Sequence, residues 1–129
     1  MHEENLALMK RAYEAFSTGD LDTIRAIGHE DEVWFTPGLG EFAPEYRGVD
    51  DIVEYLVKLA VATDGTFKDE PEMFFADEDR VTVIERVTAA RKGRTLDTRI
   101  IHVYEITDGK VASVTEYDAE PKKVEAFWS

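Results

Sequence analysis

The chain has 129 residues, 43% apolar and 33% charged, with no cysteine and a formal net charge of −13. That size suits a single domain, residues 1–129, with a real hydrophobic core. The missing cysteine excludes disulfides and thiol catalysis, and the acidic balance argues against nucleic acid or an anionic membrane as partner, since both call for a basic surface. No apolar run reaches membrane-spanning length and no stretch reads as a signal peptide, so the expected location is cytoplasmic.

Met1 to Phe16 reads as a helix, because Leu6, Met9, Tyr13 and Phe16 recur at helical spacing. Gly19 closes it as a left-handed cap. Asp20 is placed to cap a second helix with Leu21, Ile24 and Ile27 on one face, ended by Gly28. His29-Glu30-Asp31-Glu32 reads as a polar turn. Val33 to Thr36 reads as a short strand stopped by Pro37. Gly38 to Gly48 is a long, aromatic loop of the kind that covers something. Val49 to Ala62 is a third helix, with Ile52, Tyr55, Leu56 and Leu59 on one face.

From Thr66 the apolar period changes to two. Phe67 to Ala76 reads as an edge strand, since Pro71 cannot donate to a ladder. Asp77-Glu78-Asp79 turns the chain into a strand from Arg80 to Arg91, and Lys92-Gly93 turns it again. Thr95 to Asp118 is a hairpin about Asp108-Gly109, and Pro121 begins a short tail that Trp128 anchors. Helices followed by a strand meander make an α+β pattern.

The hairpin turn decides which residues share a face. A two-residue turn pairs Thr107 with Lys110; a three-residue loop with Gly109 in the left-handed region pairs Ile106 with Lys110. The longer loop is preferred, because glycine is cheap there and Asp suits the position before it. It sets His102 opposite Val114 and Ile100 opposite Glu116. Ile100, His102, Tyr104, Val114, Glu116 and Asp118 then share one surface, and Ile101 and Val103 face the other way. Those outward residues predict a back-to-back homodimer.

Three stretches carry a family likeness: Tyr13 to Asp22, Tyr46 to Ile52, and His102 to Val111. They resemble the SnoaL-like branch of the nuclear transport factor two-like (NTF2-like) superfamily. The resemblance implies a cone-shaped fold: three N-terminal helices packed on a curved, mainly antiparallel sheet, usually dimeric, around a deep apolar pocket. Relatives include polyketide cyclases, ketosteroid isomerase and limonene epoxide hydrolase. The isomerase base falls at Thr36, its oxyanion tyrosine at Ala12 and its second oxyanion acid near His102, so that chemistry is not implied. The hydrolase pattern meets Arg86-Val87-Thr88 and Glu116, without its middle acid. The cyclase pattern, an acid on the last strand near a histidine on the strand before, is matched by Glu116 or Asp118 with His102.

The expected function is acid/base chemistry, without cofactor, on a small apolar ligand that is polyketide- or steroid-like. Glu116, with Asp118 as the alternative, is the expected proton acceptor and His102 the second proton carrier. Burial should raise the Glu116 pKa, and a charged His102 should oppose that. Arg86 or Tyr104 would steady oxyanion charge, Arg86 only if the Lys92-Gly93 turn aims it inward. Trp34, Tyr13, Tyr55, Phe16 and Tyr104 are candidate ligand contacts. No metal site is expected, because His2, His29 and His102 lie in different elements without ligand spacing. Two other readings stand beside the enzyme: a non-catalytic ligand-binding domain, and a dimeric interaction module with a vestigial pocket.

Overall fold

A computed structural model describes residues 2–129. Its helices are α1 (His2–Thr18), α2 (Leu21–Ile27), α3 (Val49–Ala62) and α4 (Pro121–Trp128). Its strands are β1 (Gly28–Phe35), β2 (Glu45–Arg47), β3 (Lys68–Ala76), β4 (Arg80–Arg91), β5 (Arg94–Thr107) and β6 (Lys110–Asp118). They form one sheet in the order β2-β1-β6-β5-β4-β3. The β1–β6 pair is parallel and the other neighbours are antiparallel. Helices pack on one face of this curved mixed sheet, the α+β cone expected from the sequence. Met1, with which the first helix was expected to start, lies outside the described residues.

Local chemistry accounts for most boundaries. In α1, Met9 and Tyr13 turn the same face to the sheet, and the Asn5 amide donates to the Asp77 and Glu78 carbonyls at 3.3 and 2.8 Å. Gly19 adopts φ 72° where the chain reverses, and the Asp20 carboxylate accepts from the Thr23 N–H at 3.1 Å to cap α2. Pro71 does lie on an edge strand, at a register shift between Pro71 and Met73.

The two long hairpins close with two-residue turns whose central residues all have positive φ: Lys92 at 49° and Gly93 at 74°, then Asp108 at 52° and Gly109 at 75°. This is the type I′ geometry, whose twist matches the strands it joins. The three-residue loop expected at Gly109 is therefore replaced by Thr107 paired with Lys110. That change alone would flip the face of every β6 residue beyond it. A register shift corrects it: Ile106 pairs with Val111 but Glu105 pairs with Ser113, leaving Ala112 as the extra residue. His102 then stands opposite Glu116, not Val114, and Ile100 opposite Asp118. The expected face survives, but its register moves by two residues.

Two further segments depart from expectation. His29 to Glu32 is no turn but the irregular first part of β1, whose pairing with β6 shifts between Gly28 and Val33. The irregularity buries Glu32 to 6% exposure, while its carbonyl accepts from the Gly48 N–H at 2.8 Å. Alternation of polar residues does not announce such a bulge. The tail after Pro121 is a helix, with Pro at its first turn and Val124, Phe127 and Trp128 buried.

Candidate active site

Between helices and sheet lies a cavity of about 120 Å³. Aromatic and aliphatic side chains line most of it. The expected contacts Tyr13, Phe16, Trp34, Tyr55 and Tyr104 are all among its walls. Leu39 and Phe42 from the aromatic loop and Trp128 from α4 also line it, with the Phe42 and Trp128 rings 4.9 Å apart. The Arg91 guanidinium lies 5.1 Å from the Trp128 ring, holding α4 against the end of β4.

The polar wall is a diagonal of titratable groups on four adjacent strands. Asp69 on β3, Glu85 on β4, His102 on β5 and Glu116 on β6 all line the cavity. His102 and Glu116 are direct cross-strand partners, with Nε2 3.6 Å from Oε1. On its other side, His102 Nδ1 is in direct contact with Glu85 Oε1. Glu85 pairs with Ile100 in the ladder, so it reaches His102 diagonally. The Tyr13 hydroxyl donates to Glu85 Oε2 and meets the Tyr104 hydroxyl at 2.7 Å. Glu85 is fully buried and His102 is 6% exposed.

Burial and pairing compete at each group. For His102, burial disfavours the cation, but Glu85 and Glu116 outweigh it and raise the pKa well above the ordinary value. Glu116 is correspondingly lowered: burial pushes it up, but the attraction of His102 across the 3.6 Å contact wins. The expected raised pKa belongs instead to the next acid on the face. Asp118 is pushed up to about 8 by burial and by the neighbouring Glu116 carboxylate. Asp69 is raised by burial and by the nearby Glu85. The shifts favour an imidazolium–carboxylate pair at His102 and Glu116, flanked by Asp118 and Asp69, two acids whose charged forms burial disfavours.

Arg86 does not join this site. The two-residue Lys92-Gly93 turn pairs it with Arg99 on the opposite face, where it forms a bidentate pair with Asp97 at 2.9 and 2.7 Å. An oxyanion role for Arg86 is thereby excluded by the parity of the strand. Trp34 offers a donor in its place. Its ring centroid lies 5.4 Å from that of His102, and its Nε1 is buried with no partner among the described residues.

Three acids of the cavity were not anticipated. Glu85 was legible, since it interrupts the buried alternation Val81, Val83, Val87, Ala89. Asp69 carries the weaker signal of alternating with Phe67. Glu32 depends on the β1 irregularity and had no sequence signal. Burial alone pushes Glu32 up to about 8. Asp69, Glu85 and His102 also present ligand-type atoms within 4.8 Å of one another, a span that a divalent ion could bridge. Glu85 already occupies the Nδ1 side of His102, so a cation there would have to displace that contact.

Known proteins agree with this architecture. The model of the SnoaL-like domain matches residues 9–114. The chain is 32% identical over 128 residues to the uncharacterized protein Rv0034 of Mycobacterium tuberculosis, covering 98% of each chain. Bal32a, from a soil-derived mobile gene cassette, has a structure similar to this one, with a TM-score of 0.95 and 31% identity, over 99% of this chain and 98% of that one. A Xanthomonas campestris protein of unknown function with a cystatin-like fold superimposes with a TM-score of 0.88 at 27% identity, over 96% and 97% of the two chains. Fold and sequence similarity together make this chain a member of the SnoaL-like family of the NTF2-like superfamily.

Proposed function

We propose that the chain is an acid/base enzyme that moves a proton on a small apolar carbonyl compound, in an isomerisation or an aldol-type cyclisation. The observation that carries this reading is the Glu85–His102–Glu116 line at the edge of an apolar cavity. Glu116, ionised and partly desolvated, is the proton acceptor. The His102 imidazolium and the unpartnered Trp34 N–H are the donors for negative charge developing on the carbonyl oxygen. Glu116 then gives the proton it took back to the product, at carbon in an isomerisation or at the new alkoxide oxygen in an aldol step, which restores its carboxylate, and neutral Asp118 beside it keeps a second negative charge away. A cavity of about 120 Å³ supports a ligand on the scale of one ring, smaller than the steroid-like molecule expected from the family likeness.

The test is deuterium exchange at the α-carbon of acetophenone, followed by NMR in heavy water. The wild-type protein should exchange the methyl protons at least a hundredfold faster than Glu116→Gln or His102→Ala, the usual scale of a positioned base. Wild-type exchange no faster than buffer would overturn the enzyme reading. Binding without exchange would leave the non-catalytic ligand-binding domain in its place.

A further inference from the structure

Glu32 stands apart from the diagonal. It lines the cavity from β1 and is 6% exposed, yet its carboxyl takes no hydrogen bond or ion pair from any described residue. Burial is the sole influence on its titration, and the cavity walls hold no lysine or arginine. A carboxyl buried without a partner is costly unless something else satisfies it.

Gly28 shows that room is kept for this group. Its φ of −80° and ψ of 141° are ordinary extended backbone, so no turn calls for glycine. A Cβ on Gly28 would lie 2.2 Å from Glu32 Oε1. The missing side chain is what lets the carboxyl sit where it does.

The sheet register fixes where Glu32 lies relative to His102. Gly28 is level with Val111 and Trp34 with Val114, while Val114 is opposite Tyr104 and Glu116 opposite His102. Glu32 therefore occupies the Val111 end of the cavity, with Tyr104 between it and the His102–Glu116 pair. At about 3.3 Å per residue, the four residues of β5 from Ile106, the partner of Val111, to His102 set the two ends roughly 13 Å apart. Two hydrogen bonds of about 2.8 Å and a para-hydroxyaryl ketone with its oxygens about 6.4 Å apart together span roughly 12 Å.

We infer that Glu32 is a second binding pole of the cavity, donating a hydrogen bond to an oxygen at the far end of a ring whose reacting carbonyl lies at His102 and Glu116. The ligand class is a single ring oxygenated at both ends, such as a para-hydroxyaryl ketone or a quinone-like ring. The inference rests on the proposed reacting end and adds the opposite one. A neutral carboxyl is a donor, whereas a carboxylate would only accept.

The test uses 4-hydroxyacetophenone, with two oxygens, and acetophenone, with one. Tryptophan fluorescence titrations measure both affinities in wild type, Glu32→Gln, Glu32→Leu and Gly28→Ala, and circular dichroism confirms that each is folded. Wild type should bind the two-oxygen probe about fivefold to tenfold more tightly, the worth of one neutral hydrogen bond. Glu32→Gln should keep that preference, because a carboxamide still donates. Glu32→Leu should erase it. Gly28→Ala should weaken it, since the new methyl displaces the carboxyl from a backbone that accepts alanine without strain. No preference in wild type, the same preference in Glu32→Leu, or no binding of either probe would overturn the inference. Exchange at the acetophenone methyl reports on His102 and Glu116 separately. Exchange without preference sinks the second pole alone, and preference without exchange sinks the acid/base reading alone.

Discussion

The two faces of the central sheet carry similar residue types in opposite circumstances. On β4, Glu85 and Arg86 are neighbours in sequence. Glu85 is fully buried among Tyr13, His102 and the cavity, whereas the Arg86 side chain is 43% exposed and pairs with Asp97 in solvent. The outer face continues this way, with Arg99–Glu72 and Arg80–Glu105 as further exposed pairs. The cavity wall packs its acids around a single imidazole, with no lysine or arginine among its lining residues. Solvent screens the outer pairs, so they shift ionisation locally and contribute little to folding. Inside, each charge depends on a particular partner, and losing that partner is expensive. The same ladder thus supports a surface that tolerates change and a site that does not.

The largest expected effect comes from breaking the inner face. Glu85→Ala leaves His102 without one of its two carboxylates and the Tyr13 hydroxyl without its acceptor. Removing one partner of a buried pair costs about 3–5 kcal/mol. Urea unfolding should therefore show a large drop in midpoint. A change no larger than that of a surface variant would mean the buried contacts are not formed in solution.

A smaller effect should separate the partners by pH. The raised His102 pKa stabilises the fold fully below the ordinary histidine value and is lost as pH rises through the folded value. The lowered Glu116 pKa stabilises it above the ordinary glutamate value and is lost as pH falls through the folded value. The stability lost in His102→Ala should therefore be greatest between about pH 4.5 and 6.5, where both contributions are complete. Carboxyl-carbon NMR of the same variant should show the Glu116 titration moving upward, because burial remains while the cation is gone. A Glu116 titration indifferent to His102 would break the cross-strand pairing on which the site depends.

The outer face adds a different expectation. Met73, Ile84, Ile101 and Tyr117 line up across four strands in one row, and Phe75, Val103 and Phe35 fall in the next. Met73, Phe75 and Tyr117 are each more than half exposed, at 52, 56 and 56%. We propose that two chains pair back to back over these rows, which would remove that apolar surface from water. Light scattering should give twice the chain mass, and Val103→Asp should halve it. A wild-type monomer at tens of micromolar would refute the pairing.

What the sequence revealed of this molecule follows the range of the interactions involved. Helices and strands were legible because apolar periodicity is local. His102, Glu116 and Asp118 were grouped on one face because alternation along a strand is also local. The Glu116 pKa was anticipated in the wrong direction, because its sign depends on whether burial or His102 wins, and that depends on register. Register in turn depended on a two-residue turn followed by an extra residue at Ala112, two irregularities that cancel in parity but not in position. Glu32 was hidden for a similar reason, since only a bulge in β1 buries it. Asp69 and Glu85 come from β3 and β4, separate strands from that of His102, and it is the register of the folded sheet that assembles them.

Arg86 provides the smallest effect and the sharpest control on the comparison. It was a candidate oxyanion donor when the Lys92-Gly93 turn could have had either parity. With Arg91 paired to Arg94 across that turn, it lies outside. Its hydrogen bonds to Asp97 raise the Arg86 pKa and lower that of Asp97, but both groups are exposed to solvent. Salt at about 1 M cuts the Debye length to about 3 Å, so whatever this pair contributes should fade there. Arg86→Ala should leave acetophenone exchange unchanged and shift the unfolding midpoint slightly at low salt and not at all at high salt. Its neighbour Glu85, changed in the same strand, should do the opposite on both counts, with a loss that persists in salt because water and ions do not reach it. Loss of exchange in Arg86→Ala would mean that the strand presents its other face to the cavity. The turn at Lys92-Gly93, the diagonal at His102 and the buried position of Glu85 would then all have to be redrawn together.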